Sequence, residues 1–550
     1  KKTISAQIGF GKQEGAKALK YCTFLSALAM AALSLPTQAA VITTGQVFAD
    51  FNTIILSPEL TTTNQILVGH TAPGALEVNP NVFALIDPTQ RVRVISTYSG
   101  STALVAGGGG AGGNGAVNVH GYSLNPTSLG PTAIFTLGDL RFGENGGTGT
   151  LNVYDGGLVA ATRQETFGGA SIIAGGQNGT GSINVSEQGS LLSATGDIRI
   201  GAFSNSSGTL SISNGGTVIT SPDPSINLNA GFVSTQIGVG DNVMGTALVT
   251  GAGSTLNTPS LVVGQFDTLS TGTLSIEAGG MVAAKVLSNG QGGGVYVGSG
   301  SAVGSQITVT GAGSVLQVDA ITSAMNDAAG KEINIGGFGK GKLLVDQSGR
   351  IDAMGANIRV GGGLFGTGTD PGALTVRNGG LVTANNITVF QNGLLNGNGT
   401  IDGNVTVDGG TVAPGNSPGT LIINGDFIFN TGFLDLEITS GAVDRIAVSG
   451  IVSLGQNIII NLLFGDAPIS GSLFRIEDFF SGFSSFEVAS GFDLASTLNV
   501  SGLNTSDIVT FSLGNDRITF NAPPSVPEPA SIALLGIGLA GLGAMRYKKV

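Results

Sequence analysis

Residues 272–282 read Gly-Thr-Leu-Ser-Ile-Glu-Ala-Gly-Gly-Met-Val, and this short unit decides the fold. Apolar Leu274 and Ile276 alternate with polar Thr273 and Ser275, so the apolar pair lies on one face of a strand and the polar pair on the other. A glycine turn follows, and then a further apolar position. A unit of this size cannot cover its own apolar face, so it must pack against copies of itself.

The unit recurs along the chain at starts 27 to 41 residues apart, with a mean interval of 33. This spacing lies in the range that is typical of solenoid repeats. The starts are Gly74, Gly115, Gly149, Gly181, Gly208, Gly245, Gly272, Ser305, Gly341 and Gly372. Eight residues after each of the last eight starts stands a glycine, where we expect a positive φ. These glycines are Gly157, Gly189, Gly216, Gly253, Gly280, Gly313, Gly349 and Gly380.

Each repeat contains two further short strands. A leading strand that ends in glycine precedes the unit, as at residues 198–201 and 295–298, and a third apolar position follows the glycine turn. Three strands per repeat predict an all-β fold, a right-handed parallel β-helix of about ten repeats of about 33 residues. The alternative is a β-propeller, but its blades need ~40 to 45 residues. The longest insertions, 221–231 and 320–331, are expected to form loops on one edge of the rod.

Composition limits the chemistry that the chain can perform. Glycine fills 92 of 550 positions and only 11% of the residues are charged, which argues against long helices and charge-rich disorder. The single cysteine, Cys22, lies in the expected leader, so we predict no disulfide and no thiolate metal site. A histidine-dependent mechanism would have to use His70 or His120. No catalytic, cofactor or metal residues are assigned.

The first 39 residues are predicted to be a secretory signal peptide. Lys17 and Lys20 precede an apolar run over residues 22–35, and small residues follow it. Cleavage is expected after Ala39, with Ala40 as the near alternative. We then expect an N-terminal cap over residues 40–65, the repeat region over 66–412 and a C-terminal β region over 413–524.

Charge argues against a nucleic-acid partner. Residues 40–525 contain 15 lysines and arginines against 33 aspartates and glutamates. Nucleic-acid binding needs a basic face, and this part of the chain has none in its sequence. An acidic exterior favours solubility instead.

The C-terminal tail, residues 525–550, combines three features. A polar motif is followed by an apolar segment over 532–545 and by the basic residues Arg546, Lys548 and Lys549. The motif residues are Val526, Pro527, Glu528, Pro529, Ala530 and Ser531. Fourteen residues at ~1.5 Å each reach ~21 Å as a helix, short of a ~30 Å hydrocarbon core, which predicts a transient membrane span. The basic residues would hold this end in the cytoplasm.

This tail resembles a PEP-CTERM sorting tail. The resemblance implies recognition by an exosortase, a membrane-embedded transpeptidase-like enzyme of Gram-negative bacteria that often make exopolysaccharide. It also implies export to the cell envelope or to the extracellular matrix. A permanent single-pass anchor is the alternative. Residues 413–450 resemble the end of an autotransporter passenger domain, and the PEP-CTERM tail stands where that family has its membrane domain.

Two functions fit these features. The first is a non-catalytic, secreted structural or adhesive β-helix with exopolysaccharide or other envelope components as partners. The second is a polysaccharide lyase or glycoside hydrolase, since two or three acids gathered on one groove would suffice. The candidate residues for that second function are Asp197, Asp319, Asp352, Asp370, Arg199 and Arg359.

Overall fold

The computed structural model describes the protein over a defined set of residues. These are 40–45, 47–48, 59–62, 66–68, 73–79, 93–96, 102–108, 113–121, 133–162, 171–220, 233–265, 269–285, 293–299, 304–319, 332–336, 339–362, 371–415, 418–439, 442–465, 473–490, 492, 497–501, 510–514 and 517–521. The predicted signal peptide before Ala40, His70, Asp370 and the whole C-terminal tail lie outside this set.

The recurring unit forms the central sheet of a parallel β-solenoid. Its strands hydrogen-bond to their equivalents one repeat away, so that Gly115 pairs with both Gly74 and Gly149. The strands of the central sheet are Gly74–Asn79, Asn114–His120, Thr148–Tyr154, Thr180–Ser186, Ser207–Ser213, Met244–Thr250, Thr271–Glu277, Ser305–Thr310, Gly341–Asp346, Gly372–Val376 and Gly393–Gly397. Gly393 pairs with Gly372 and continues the series beyond the predicted starts.

The predicted leading strands form a second parallel sheet, the leading sheet. Ile198–Ile200, for example, pairs in parallel with Ile172–Ala174 and with Thr235–Val239. The strands that belong only to this sheet are Ile66–Val68, Thr102–Ala106, Asp139–Phe142, Ile172–Ala174, Ile198–Ile200, Thr235–Val239, Ser260–Gln265, Gly294–Ser299, Glu332–Ile335 and Ser485–Val488.

The third apolar position belongs to a third parallel sheet, the trailing sheet, which confirms three strands per repeat. The strands that belong only to this sheet are Glu59–Thr62, Arg93–Ser96, Ala133–Thr136, Leu158–Ala161, Leu191–Ala194, Thr217–Thr220, Thr255–Thr258, Met281–Ala284, Val315–Val318, Thr420–Ile423, Arg445–Val448 and Phe480–Ser481. In-register parallel sheets on three sides describe a β-helix and argue against the propeller, whose blades are separate four-stranded sheets.

Strands are longer towards the C-terminal end, because no loop separates the trailing sheet from the leading sheet there and one strand continues through both. Arg350–Val360 contributes to both sheets and bends at Gly355, which has a φ of 82°. Thr400–Pro414 contributes to all three sheets. Leu381–Phe390, Phe427–Ile438, Ile451–Phe464 and Leu498–Ser501 complete the parallel array. The sheets therefore continue past residue 412, where the sequence analysis placed a boundary.

The inner faces of the three sheets make one continuous apolar core. Leu274 and Ile276 have no solvent exposure, and Leu274 lies between Ala247 and Ile307 in register. The same inward column of the central sheet contains Leu151, Ile183, Leu210, Leu343 and Leu374. Each repeat therefore covers the apolar face of its neighbours, as stacking requires.

Antiparallel pairs interrupt the parallel pattern near both ends of the described array. Ala40–Gly45 pairs antiparallel with Gly74–Asn79, and Val47–Phe48 pairs antiparallel with Ile66–Val68. A separate antiparallel sheet contains Leu473–Arg475, Thr510–Gly514 and Arg517–Asn521. A 3₁₀ helix, Ile476–Phe479, follows the first of these strands. Such strands occupy edges that would otherwise template further pairing.

The expectation of a positive φ at the recurring turn glycines is only partly correct. Gly189, Gly253 and Gly313 have φ values of 82° to 88°. Gly280 is different, because its φ is not positive and an added Cβ would lie 2.3 Å from the Val249 carbonyl oxygen. Gly157, Gly216, Gly349 and Gly380 behave like Gly280, with the equivalent distance 2.3 to 2.5 Å. Close approach of the next rung therefore selects glycine at these five positions.

Candidate functional site

A column of polar residues marks the corner that leads into the leading sheet. Its members occupy one register position, immediately before an inward-facing buried residue, on every rung from Asp139 to Asp426 except the rung where Gly294 stands. We call this column the corner ladder, and its members are Asp139, Ser171, Asp197, Ser234, Ser260, Glu332, Asn357, Asn386, Asn404 and Asp426. It contains Asp197, one of the acids proposed for an enzymatic site.

The carboxylate of Asp197 binds the next rung. Its Oδ1 accepts hydrogen bonds from the backbone N–H of Ser234 at 2.9 Å and from the Ser234 hydroxyl at 3.2 Å. Its Oδ2 accepts from Nη2 of Arg199 at 2.7 Å. Asp139 repeats the arrangement with the backbone N–H of Ser171 at 2.9 Å. These carboxylates therefore satisfy backbone donors that the corner leaves without a sheet partner.

Nearer the C-terminus, the side chains of Asn404 and Asp426 make the same kind of contact. Oδ1 of Asn404 accepts from the backbone N–H of Asp426 at 2.9 Å, and Oδ1 of Asp426 accepts from the backbone N–H of Ile451 at 2.8 Å. The Asn404 amide also donates to Asn386 at 3.4 Å. Asp139, Asp197, Asn404 and Asp426 thus hold neighbouring rungs together, whether the side chain is an acid or an amide.

Two of the other proposed acids belong to the trailing side of the rod, since Asp352 lies in the strand Arg350–Val360 and Asp319 directly follows the strand Val315–Val318. Oδ2 of Asp352 accepts from Nη2 of Arg350 at 2.9 Å, and Oδ1 of Asp319 accepts from Gln317 at 3.0 Å. Because Gln317 pairs with Asp352, Asp319 and Asp352 lie on neighbouring rungs. Asp197 lies on a different sheet several rungs away, so the structure brings together two of the described acids and leaves the third apart.

Arg359 belongs to a partly buried cluster that the sequence pattern did not predict. Its guanidinium carbon lies 4.3 Å from the centre of the Phe390 ring, and its Nε lies 3.9 Å from a carboxylate oxygen of Glu332. Glu332 is 8% exposed and Asn334 only 2%. The Asn334 amide donates to Glu332 at 3.4 Å, and its own oxygen accepts no hydrogen bond from the described residues. We call these four residues the Glu332 cluster.

Burial in the Glu332 cluster penalises the charged form of the Glu332 carboxyl group. Burial raises the pKa of Glu332 above its ordinary value, while the Arg359 guanidinium and the Asn334 amide oppose that rise. A sequence signal existed, since Glu332 is the charged residue that follows the 320–331 insertion and starts a strand. The aromatic partner, Phe390, stands 31 residues after Arg359 and could be found only once the rung length was known.

His120, the one histidine within the described residues, lies at the end of a central-sheet strand. Its ring contacts Tyr154 on the next rung edge to face, with the ring centroids 3.7 Å apart, and its Nε2 bonds the Tyr154 hydroxyl. Its Nδ1 lies 3.8 Å from a carboxylate oxygen of Asp155. Across the residues that the structure describes, no three histidine, cysteine or acidic side chains gather in a way that could hold a metal ion.

The predicted sorting residues Val526 to Ser531 and the basic residues Arg546, Lys548 and Lys549 lie outside the described residues, as does the apolar segment 532–545. Of the residues that are described, none forms a helix long and apolar enough to cross a membrane. A comparison with curated proteins gave no match. Residues 525–549 do match the PEP-CTERM protein-sorting motif, which confirms the resemblance stated for the tail. The chain therefore carries a parallel β-helix body and a C-terminal PEP-CTERM protein-sorting signal.

Proposed function

We propose that the protein is a non-catalytic structural or adhesive β-helix, which an exosortase-type enzyme sorts to the cell envelope or the extracellular polysaccharide matrix. The sorting motif at residues 525–549 implies export by such a system. We further propose that the solenoid winds to the right, as most parallel crossover connections do. Ala39 or Ala40 is proposed as the end of the signal peptide.

The corner ladder is the main observation in support of a non-catalytic function. Catalytic carboxylates have to reach a substrate with a free oxygen, whereas Asp197 uses both oxygens on its own rod. Asp426 likewise bonds the backbone of Ile451. Carboxylates that hold rungs together support a structural role for the acids of this column.

The sorting proposal is tested by mass analysis of the native protein from inner membrane, cell surface and medium. We expect the external form to begin near Ala40 and to end within or just after the motif. Replacing Pro527 and Pro529 together by alanine should leave the full tail in place and the protein in the inner membrane. The matched control replaces Pro523 and Pro524, which lie outside the motif, and should be processed normally. Normal processing of the motif variant would overturn the proposal.

A polysaccharide lyase or glycoside hydrolase is the second candidate, because Asp319 and Asp352 lie on neighbouring rungs. Glycosidases place their two carboxylates ~5 to 9.5 Å apart, a separation that adjacent rungs permit. The test is release of reducing ends or unsaturated sugars from a polysaccharide panel by wild-type protein and by Asp352→Asn. Activity that disappears in this variant would favour the enzyme and count against the non-catalytic proposal. Inactive wild-type protein would leave the structural proposal standing.

A further inference from the structure

The outward side of the central sheet is a flat, almost uncharged surface. Six consecutive strands, from Asn114–His120 to Thr271–Glu277, each present four alternate residues outward, which gives 24 positions. Nineteen of these carry a hydroxyl or an amide, and Glu277 is the only carboxylate among them. We call this surface the hydroxyl face. Its low charge stands out in a chain with a formal net charge of −12.

Hydrogen bonds between rungs order the side chains of the hydroxyl face. The Asn152 amide donates to Oδ1 of Asn118 at 2.7 Å, and the Asn184 amide donates to Oδ1 of Asn152 at 2.8 Å. Ser182 and Thr209 share a hydrogen bond of 2.7 Å. Side chains that are already fixed lose less conformational entropy on binding, so the face is preorganised for a partner.

The geometry of the face suits a long, regular partner. Equivalent positions recur every ~4.8 Å along the rod, and alternate residues along a strand lie ~6.6 Å apart. Six rungs of seven-residue strands therefore offer roughly 500 Å², the scale of a weak contact between macromolecules. A repeating polymer could meet the same donors and acceptors at each rung, and several rods on one polymer would add avidity.

We propose that the hydroxyl face binds a neutral polysaccharide, a partner that deepens the adhesive role proposed above and rests on it. Sugar hydroxyls donate and accept hydrogen bonds, as do the side chains of Thr209, Thr246 and Thr273 on this face. Nucleic acids and acidic polysaccharides need cations, and none of the 24 positions is a lysine or arginine. The net negative charge of the chain adds repulsion against such polymers.

A protein partner fits the face less well. Protein interfaces concentrate their binding energy in buried aromatic and arginine anchors. Large exposed apolar side chains on the face are few, with Met244 at 55% exposure the clearest one. Tyr154 stands at the edge of the face and already contacts His120. The surface therefore lacks the anchors that a folded partner would use, while its hydroxyls suit a sugar chain.

The test measures binding of the full secreted protein to microcrystalline cellulose and to dextran, with alginate as the anionic comparison. The variant Thr209→Arg/Thr273→Arg places two long side chains two rungs apart on the exposed face. We expect it to lower affinity for the neutral polymer by about tenfold or more, as loss of central contacts does. The variant Thr209→Ser/Thr273→Ser keeps both hydroxyls and should bind like wild type.

The matched control is Ser193→Arg/Asn257→Arg, which places the same side chains two rungs apart on the trailing sheet. It should bind like wild type, and far-UV circular dichroism and thermal unfolding establish that each variant folds. Equal loss in both arginine variants, binding only to alginate, or no binding to either neutral polymer would overturn the proposal. If the protein bound neither neutral polymer but its tail were processed normally, the polysaccharide proposal would fail and the sorting proposal would stand. The two proposals can therefore be tested independently.

Discussion

Replacing Gly280 by alanine is expected to destabilise the rod far more than the same change at its neighbour Gly279. Both glycines lie in one turn, and only Gly279 has a positive φ, of 88°. A Cβ on Gly279 would find no atom closer than 3.4 Å, whereas a Cβ on Gly280 would lie 2.3 Å from the Val249 carbonyl oxygen and 2.7 Å from its carbon. The pair therefore separates backbone strain from steric overlap.

The two expected magnitudes follow from these distances. A residue with a Cβ in the left-handed region costs ~1 to 2 kcal/mol, and Ala278 next door already has a φ of 50°. Gly279→Ala should therefore lose ~1 to 2 kcal/mol. Gly280→Ala would push two hydrogen-bonded rungs apart, and overpacking of this kind costs ~1 to 3 kcal/mol or more. We expect at least ~3 kcal/mol, because the clash is with backbone and no side chain can move aside.

Urea unfolding followed by circular dichroism measures both changes, with midpoints compared at unchanged slope. The control is Gly216→Ala, an equivalent position where the Cβ would lie 2.4 Å from the Val185 carbonyl oxygen, which should resemble Gly280→Ala. Equal losses at Gly279 and Gly280, or a greater loss at Gly279, would refute the steric account. Conformational freedom would then be the reason for glycine at this position, as the sequence analysis assumed.

Three further outcomes are expected. Leu274→Ala should cost ~3 to 5 kcal/mol in urea unfolding, because Ala247 on the next rung cannot fill the cavity, and Ser275→Ala on the outward face should cost less than ~0.5 kcal/mol. Because the pKa of Glu332 is raised, the folded protein binds the proton of this carboxyl group more tightly than the unfolded chain does. This group therefore stabilises the rod at pH values below its ordinary pKa, and the contribution is lost as the pH rises through the pKa of the folded protein. The difference in thermal midpoint between wild type and Glu332→Gln should vary over that pH range and be constant outside it. Asp197→Ala should destabilise the rod by ~1 to 3 kcal/mol, since the Ser234 N–H loses its acceptor, and a stability equal to wild type would remove the structural role of the corner ladder.

The alternation of Leu274 and Ile276 with polar residues was enough to predict the strands, their inward face and the stacking of repeats. The three-strand rung was predictable for the same reason, since each apolar segment was bounded by glycine. The register was also implicit, because equivalent glycines such as Gly149 and Gly181 could pair only if the repeats stacked in phase. The tail motif could be identified without the structure, because it is a short linear sequence.

The sites depended on contacts between residues far apart in the chain. The structure alone shows that Arg359 contacts Phe390 and lies near Glu332. The structure alone also shows that Asp197, a candidate catalytic acid in the sequence, accepts a hydrogen bond from the Ser234 backbone. Local sequence determines which way each side chain faces, because a strand alternates every two residues. Which side chains meet depends on the length of every loop between rungs, and those lengths vary without a local rule. The sequence by itself therefore determined the repeating β-helix and its C-terminal sorting signal. The tertiary structure decided which polar groups hold the rungs together and which remain available to a partner.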